Sequence, residues 1–323
     1  VMQSPLPVRD GVNATRLRLP DEGPWDTAMD YMMHRWGHID PQGIEDRFDA
    51  GEIVGEGGIP LDRATLLEDH TFIWYYRTLP PETRIPVEIS ILHQDEHLLV
   101  VDKPHFLPTT PGGTYIQESA LVRLRNQLDL PDLIPMHRLD RMTAGVLLLS
   151  TNPETRGRYQ VLFEKRQVQK EYECISAAEP APGYPAVDFP VVVRNRMTKS
   201  RSYLLAEVIE GEPNAETRIE RLETFDGGAR AGAPVTSPAL RLARYRLEPH
   251  SGKTHQLRVH MASLGLGIVN DAFYPDLLDK APDDYTKPLQ LLARGIRFVD
   301  PISQKPVEYR SRLELSEAVQ TRR

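Results

Sequence analysis

Three prolines fall within the ten residues LPPETRIPVE, Leu79 to Glu88. Proline has no backbone N–H to give to a helix or an interior strand, so neither can run through this stretch. A domain boundary is therefore expected near residue 85. All three tryptophans, Trp25, Trp36 and Trp74, precede it, which gives the N-terminal part material for a small core of its own. Within that part, residues 1–24 read as an irregular arm. Trp25 to Trp36 and QGIEDRFDAGEIV read as short helices, the second stopped near Gly51, and HTFIWYYRTL reads as a strand.

Beyond the boundary, ISILHQDEHLLVVDKP reads as strand, turn, strand, and GVLLLS as a buried strand. Further strands are expected in KEYECIS, RSYLLAEVI, LRLARYRLEP and LQLLARGIRFVD. Helices are expected in QESALVRLRNQL and TRGRYQVLFEKR, and in THQLRVHMASLG, ended by Gly265. Strands outnumber helices and do not alternate with them strictly. The expected class is α+β, with a mixed, mainly antiparallel sheet over residues 86–310 and a small α+β domain over 1–85. Residues 311–323 read as a polar tail.

A single cysteine, Cys174, allows neither an internal disulfide nor a cysteine cluster for zinc, which suits a reducing compartment. No stretch approaches the ~18 apolar residues of a membrane helix, and the N-terminus has no signal-peptide core. A cytoplasmic monomer that is not membrane-bound is expected. The net charge of −7 speaks at first against nucleic acid. It is unevenly divided. Residues 1–90 hold 8 Arg, no Lys and 16 acidic residues, whereas the remainder holds 31 basic and 30 acidic residues. Basic residues cluster in RNRMTKSR (Arg194 to Arg201) and at Arg156, Arg158, Lys165, Arg166 and Lys170. Charge alone permits an RNA partner without requiring one.

Several chemistries drop out. There is no GxGxxG after a strand, no Walker A loop and no GxSxG, and GEGGIP lacks the lysine of a phosphate cradle. His34 and His38 lack an acid to complete a zinc set, and His255 and His260 would point about 140° apart on a helix. No metal and no cofactor are expected. Carboxylate chemistry remains.

The nine residues HRLDRMTAG (His137 to Gly145) put an aspartate between two arginines at the edge of the buried strand, followed by small residues that let a ligand approach backbone. By itself such an aspartate is usually a structural ion pair. After it come KEYECI (Lys170 to Ile175) and GKTHQLRVHMASLG (Gly252 to Gly265), and before it LLVVDKP (Leu98 to Pro104). In this order and spacing the motifs resemble the RluA-type family of pseudouridine synthases, over roughly residues 89–300. HRLD followed by Thr-Ala-Gly, together with HQLRVH, carries most of the likeness.

The resemblance implies a mixed-sheet catalytic domain with an RNA-binding cleft, structured ribosomal or transfer RNA as partner, and isomerisation of particular uridines without a cofactor. It makes Asp140 the catalytic aspartate, Tyr172 the platform for the uracil, and Arg258 the partner that keeps Asp140 charged in a buried, water-poor site. The uracil must leave C1′, turn and rejoin through C5. A carboxylate can stabilise the charge that develops at the sugar, attack it, or remove a sugar proton, and the residues do not choose among these routes. The Tyr172 hydroxyl offers help with the C5 proton. A uridine in a structured RNA must be flipped out, and a planar guanidinium such as Arg138 can fill the gap. RNA contacts are also expected from His137, Arg141, Thr143, Lys103, Lys170, Lys253, His255 and Gln256.

The chain departs from the family pattern in places. Asn270-Asp271, with Tyr274 after it, stands where a Gly-Asp pair is common, and LQLLARGI lacks a frequent histidine. VDKPHFLPTTPGG also differs from the commoner turn, with its histidine placed after a proline-glycine pair. DAGEIVGEGGIPLD faintly resembles a small RNA-binding domain named for a ribosomal protein, in a degenerate acidic form. A non-catalytic RNA-binding or ribosome-assembly protein on the same fold is the second reading, and a carboxylate glycosidase or nucleosidase the third. A second well-placed acid for hydrolysis is missing.

Overall fold

The computed structural model describes residues 4–200, 205–226, 241–279 and 281–317. By contacts the chain forms two compact units, one of residues 1–83 with 122–131 and the other of residues 84–121 with 132–323. Arg201 and Leu240, within the expected strands, lie outside the described residues.

The first unit holds β1 (Thr15–Arg18), α1 (Ala28–Trp36), α2 (Pro41–Asp49) and β2 (Phe72–Tyr75). Thr27 opens α1 with a capping box to Asp30, and Asp40 caps α2 just before its Pro41. The arm is not wholly irregular. Its residues 15–18 pair antiparallel with β2, which gives Phe72–Tyr75 the backbone partners a lone strand would lack. Leu19, Tyr31, Met32, Ile44, Phe48, Ile53 and Ile73 form the core of this unit, with Trp25 and Trp36 packed against it.

Among the described residues, the second unit is built on one sheet of eleven strands. Its strands are β3 (Ser90–Gln94), β4 (Leu98–Lys103), β5 (Ile134–Pro135), β6 (Ala144–Ser150), β7 (Gln169–Ala177), β8 (Val191–Lys199), β9 (Ala206–Ile209), β10 (Ala215–Asp226), β11 (Arg241–Pro249), β12 (Leu291–Val299) and β13 (Pro306–Arg310). The order is β3-β4-β6-β12-β7-β11-β10-β8-β9, with β5 on β6 and β13 on β12. Every pairing is antiparallel except that of β6 with β12. This is a mixed, mainly antiparallel α+β fold.

Strand β12 joins two halves. On one side lie β3, β4 and β6, and on the other β7, β11, β10, β8 and β9. Helix α3 (Ala120–Leu128) follows β4 in the chain, and from Val122 on it belongs to the first unit. Helix α4 (Pro153–Glu164), capped by Asn152, follows β6, and α5 (Gln256–Ser263) lies between β11 and β12 in the chain. Residues 256–262 of α5 are all buried. Leu257 and Met261 pack into a cluster with Cys174, Tyr245, Leu247 and Leu291 of three neighbouring strands.

Strand alternation places Lys170, Tyr172 and Cys174 on one face of β7 and Glu171 and Glu173 on the other. On that second face Arg294 holds Glu173 at 2.9 Å and donates to the carbonyls of Ser311 and Leu313 at 3.3 and 2.8 Å. Leu315 is 1% exposed, and Gln290 donates to Ser316 at 2.8 Å. Residues 311–317 are therefore fastened to the sheet rather than forming the start of a free tail.

Gly145 allows β6 and β12 to meet. Its φ is +114°, and a Cβ there would lie 2.2 Å from the Ala293 carbonyl oxygen. The small residue serves the close approach of another strand, not of a ligand. Gly145→Ala should cost more than about 3 kcal/mol, or prevent the chain from folding, because two central strands must separate. Gly157 in α4 meets nothing within 4 Å, so Gly157→Ala should gain up to about 1 kcal/mol. Urea unfolding of both variants checks the contrast; equal behaviour would contradict it.

Candidate active site

A cavity of about 1000 Å³ opens in the second unit, lined by the loop that precedes β6, by Lys170 and Tyr172 of β7, and by residues 251–258. It is walled by backbone turns as much as by side chains, and the turn carrying Asp140 is the most heavily secured. Thr109 Oγ1 donates to the Leu139 carbonyl at 2.8 Å and accepts from the Leu139 N–H at 3.1 Å. His105 Nδ1 meets the Met142 carbonyl at 2.6 Å. The Lys103 ammonium donates to the carbonyls of Leu107, Pro104 and Arg141 at 2.7, 3.0 and 3.3 Å. Thr143 N–H closes the turn on the Asp140 carbonyl at 3.0 Å. A turn held at both ends and in the middle keeps its one outward carboxylate aimed.

Lys103 was expected at a phosphate. It is 0% exposed instead. Burial pushes its ammonium down to about 7, with Asp140 pulling the other way. Its three donor sites have three acceptors, so it serves as an internal clamp. Arg141 is likewise occupied. It holds Asp283 through two hydrogen bonds of 2.7 and 2.8 Å and donates to the Phe106 carbonyl at 3.1 Å. His137 accepts the Leu148 N–H on Nε2 at 3.1 Å and stacks on Phe163 at 5.3 Å between centroids. Burial pushes its imidazole down to about 3, so it is a neutral strut between the Asp140 loop and β6. Gln256 uses its whole amide. Its oxygen accepts from Ser251 and Lys253, and its nitrogen donates to the Glu216 carbonyl and Thr217. Thr143 is 3% exposed and lines the cavity wall, not a free edge. These five side chains shape the cleft, and all but Thr143 direct polar groups to protein partners.

Four others remain open to a ligand. Arg138 and Lys253 are exposed on the cleft, Lys170 is half-buried, and none has an ion-pair partner among the described residues. Tyr172 lines the cleft between β11 and β12, facing Leu247 and Ala293 across the sheet. Burial, and then the charge of Asp140, push its phenol well above the usual range. It is therefore a hydrogen-bond donor with a flat face; its phenolate is out of reach as a proton acceptor near neutral pH.

Asp140 and Arg258 do not form the expected pair. The Arg258 guanidinium grips Asp271 instead, Nε to Oδ2 at 2.8 Å and Nη2 to Oδ1 at 2.6 Å, both side chains being buried. Asp271 also accepts the N–H groups of Phe273 and Tyr274 at 2.8 and 3.2 Å. A carboxylate offering both oxygens in the plane of the fork wins the arginine. Facing Asp140 instead is the imidazole of His255, whose Nε2 lies 3.9 Å from Oδ2. Asp140 is also less buried than expected, with 34% of its side chain open. Thr109, His105, Asp271, Tyr274 and Asp283 were not anticipated as parts of the site. Asp271 and Tyr274 were in view only as neighbours of Asn270, which stands where the family's Gly-Asp pair has glycine, and His105 only as part of VDKPHFLPTTPGG.

Among the described residues no three His, Cys, Asp or Glu side chains converge as metal ligands, and no helix is long and apolar enough to cross a membrane. The site offers a fixed carboxylate, an aromatic face beside it, free cations at its rim and no second acid paired with Asp140.

Thr109→Val keeps the shape of that side chain but removes both bonds to Leu139. Leaving a buried N–H and C=O unpaired should cost about 2–4 kcal/mol in urea unfolding, while Thr109→Ser should cost clearly less. A Thr109→Val loss no larger than that of Thr109→Ser would show that the hydroxyl does not hold the turn.

Comparison with known proteins identifies the family. A family model described as RNA pseudouridylate synthase matches residues 97–263, just over half of the chain. An uncharacterized RNA pseudouridine synthase of Synechocystis is 26% identical over 261 residues, 76% of this chain and 78% of that protein. The dual-specificity RNA pseudouridine synthase RluA of Salmonella typhi is 32% identical over 217 residues, 66% of this chain and 88% of its own. The solved structure of human RNA pseudouridylate synthase domain containing 1 shares the fold. Its TM-score is 0.52 at 20% identity, over 74% of this chain and 96% of that one. The chain belongs to the RluA-type RNA pseudouridine synthases, a family of isomerases acting on RNA.

Proposed function

We propose that this enzyme isomerises particular uridines of structured ribosomal or transfer RNA in the cytoplasm, acting as a monomer, with Asp140 working at C1′ of the target nucleotide. The observation that carries the reading is the clamped turn. Lys103, Thr109 and His105 bind its backbone so that Asp140, with a third of its side chain open, faces a cleft also lined by Tyr172. In the reaction the N1–C1′ bond breaks and a C5–C1′ bond forms. The proton leaves C5 and N1 takes one up. Asp140 supplies the negative charge that this exchange needs at the sugar carbon. Tyr172 stacks on the uracil and excludes water from one side, and its protonated hydroxyl can donate to the base.

Arg138 fills the place of the extruded uridine by stacking, while Lys170 and Lys253 meet phosphates at the rim. Arg258 contributes at one remove, by fixing Asp271 and the turn that follows it.

Asp140→Asn keeps the shape and loses the charge. Its single-turnover rate, read as tritium released from [5-³H]uridine in RNA from cells lacking the gene, should fall below about a hundredth of wild type. RNA affinity and the urea midpoint should stay close to wild type. A variant retaining more than that rate would remove Asp140 from the chemistry.

Arg138→Lys separates stacking from charge. The rate defect should be large when the target uridine lies in a stem and shrink on a short flexible RNA carrying the same uridine, since flipping costs a few kcal/mol only in the first. The salt slope of binding should hardly change. Equal defects on both RNAs, or a clearly smaller slope, would identify Arg138 as a phosphate anchor.

A further inference from the structure

Tyr274 has no part in the reaction described above, yet its hydroxyl is bonded on several sides. The Ala206 N–H donates to Tyr274 Oη at 2.7 Å, and the Ala206 carbonyl lies 3.2 Å from the same oxygen. His255 Nδ1 lies 2.9 Å from it. The other ring nitrogen of His255 is the one that faces Asp140. The ring is wedged edge-on to Tyr274 and against Phe273, at 5.6 and 5.7 Å between centroids. His255 reaches this position in a left-handed backbone conformation, φ 55°, immediately before α5. A non-glycine residue held there marks a local constraint that the surroundings enforce.

The hydrogen positions follow from what each nitrogen faces. If Nδ1 carried the proton, the Nε2 lone pair would point at the Asp140 carboxylate, an electrostatic conflict. With the proton on Nε2, the N–H points at that carboxylate and Nδ1 accepts from the Tyr274 hydroxyl. The shorter of the two contacts open to the Tyr274 proton, 2.9 Å to His255 against 3.2 Å to the Ala206 carbonyl, favours the same choice.

We propose that His255 is a positioning residue for Asp140, held as the Nε2–H tautomer by the Tyr274 hydroxyl, and that Ala206 of the β8–β9 hairpin sets this arrangement by clamping Tyr274. The proposal rests on Asp140 being the reacting carboxylate. The gap of 3.9 Å is longer than a hydrogen bond, and the partly open Asp140 side chain can turn to close it when substrate fills the cleft. Asp140, Asp271, Tyr274, Arg258 and Lys199 are the ionisable groups around the imidazole. Burial, Arg258 and Lys199 disfavour its protonation and the two aspartates favour it, the net effect being a lowered pKa and a neutral ring near neutral pH.

The hairpin gives the arrangement a route to the RNA. Lys199 lines the cleft and pairs directly with Ala206 across the two strands. A phosphate drawn to Lys199 thus acts on the strand pair that carries the Tyr274 clamp.

The first test needs no RNA. Long-range ¹H–¹⁵N spectra of the full chain labelled with ¹⁵N-histidine, with His255 assigned by the signals missing from His255→Gln, should show an Nε2–H tautomer. In Tyr274→Phe, with only Asp140 left to favour Nε2–H, the Nδ1–H fraction of the same ring should rise. An Nδ1–H ring in the wild type, or an unchanged ring in Tyr274→Phe, would overturn the proposal, and the wild-type spectrum decides even if that variant folds poorly.

The second test is kinetic, using the tritium-release RNA. His255→Gln, which keeps an amide donor, should retain a single-turnover rate about tenfold above that of His255→Leu, with RNA binding within about twofold for both. Equal rates for the two would reduce His255 to a space-filling role. Should Asp140→Asn remain active, the catalytic reading fails, while the tautomer spectra still report on the clamp.

Discussion

A buried ammonium group organises the site. Lys103 ends β4, turns its side chain into the protein and joins three carbonyl oxygens, two from the loop that follows it and one from the turn around Asp140. Left without their donor, those carbonyls would each be buried and unpaired, at about 1–3 kcal/mol apiece. An irregular segment inside a protein has no ladder to satisfy its backbone, and a cation with three donors replaces one. The lowered pKa of this lysine is the cost of that service, and Asp140 offsets part of it through space. The arrangement resembles a keystone beneath a turn, and the aspartate stands on top of it.

Charge around the cleft is sorted by depth. Cations below the rim are paired with partners of fixed geometry: buried Arg258 with Asp271, and half-buried Arg141 with Asp283. Side chains at the rim, Arg138 and Lys253, have no acid among the described residues. This division suits an RNA isomerase. Buried pairs give shape and orientation, whereas mobile surface cations release counterions when phosphate arrives. The acidic overall charge does not conflict with RNA binding, because residues 1–90 carry a net −8 and the remainder a net +1.

The periodicities and turns made much of the second unit legible. β4, β6, α4 and α5 lie where alternation, apolar runs and caps put them, and the mixed sheet follows from strands that outnumber helices. The short strand Thr15–Arg18 was illegible, since four residues beside prolines carry too little pattern to announce a partner some sixty positions away. The family motifs marked Asp140 and Tyr172 as residues of the cleft. What side chains bind proved harder to read. Lys103, Arg141, His137 and Gln256 look like surface cations and donors in one dimension, and their hydrogen-bond partners, Leu107, Asp283, Leu148 and Glu216, come into reach only after folding. Arg258 could have met either of two aspartates. Distance along the chain does not rank them, and the bidentate geometry of Asp271 does.

The place of β12 in the sheet bears on when the enzyme becomes one. Asp140 comes just before β6 and Tyr172 lies on β7, yet these two strands do not touch. β12 runs between them, parallel to one and antiparallel to the other. It spans residues 291–299, late in the chain. During synthesis the segments carrying the carboxylate and the aromatic platform emerge more than a hundred residues before the strand that brings them together. Nascent protein on the ribosome, surrounded by ribosomal RNA, therefore lacks an assembled reaction centre until that strand threads into its slot. Non-local pairing of this kind folds slowly. The reaction centre is thus completed by a strand that neither of its two key residues belongs to.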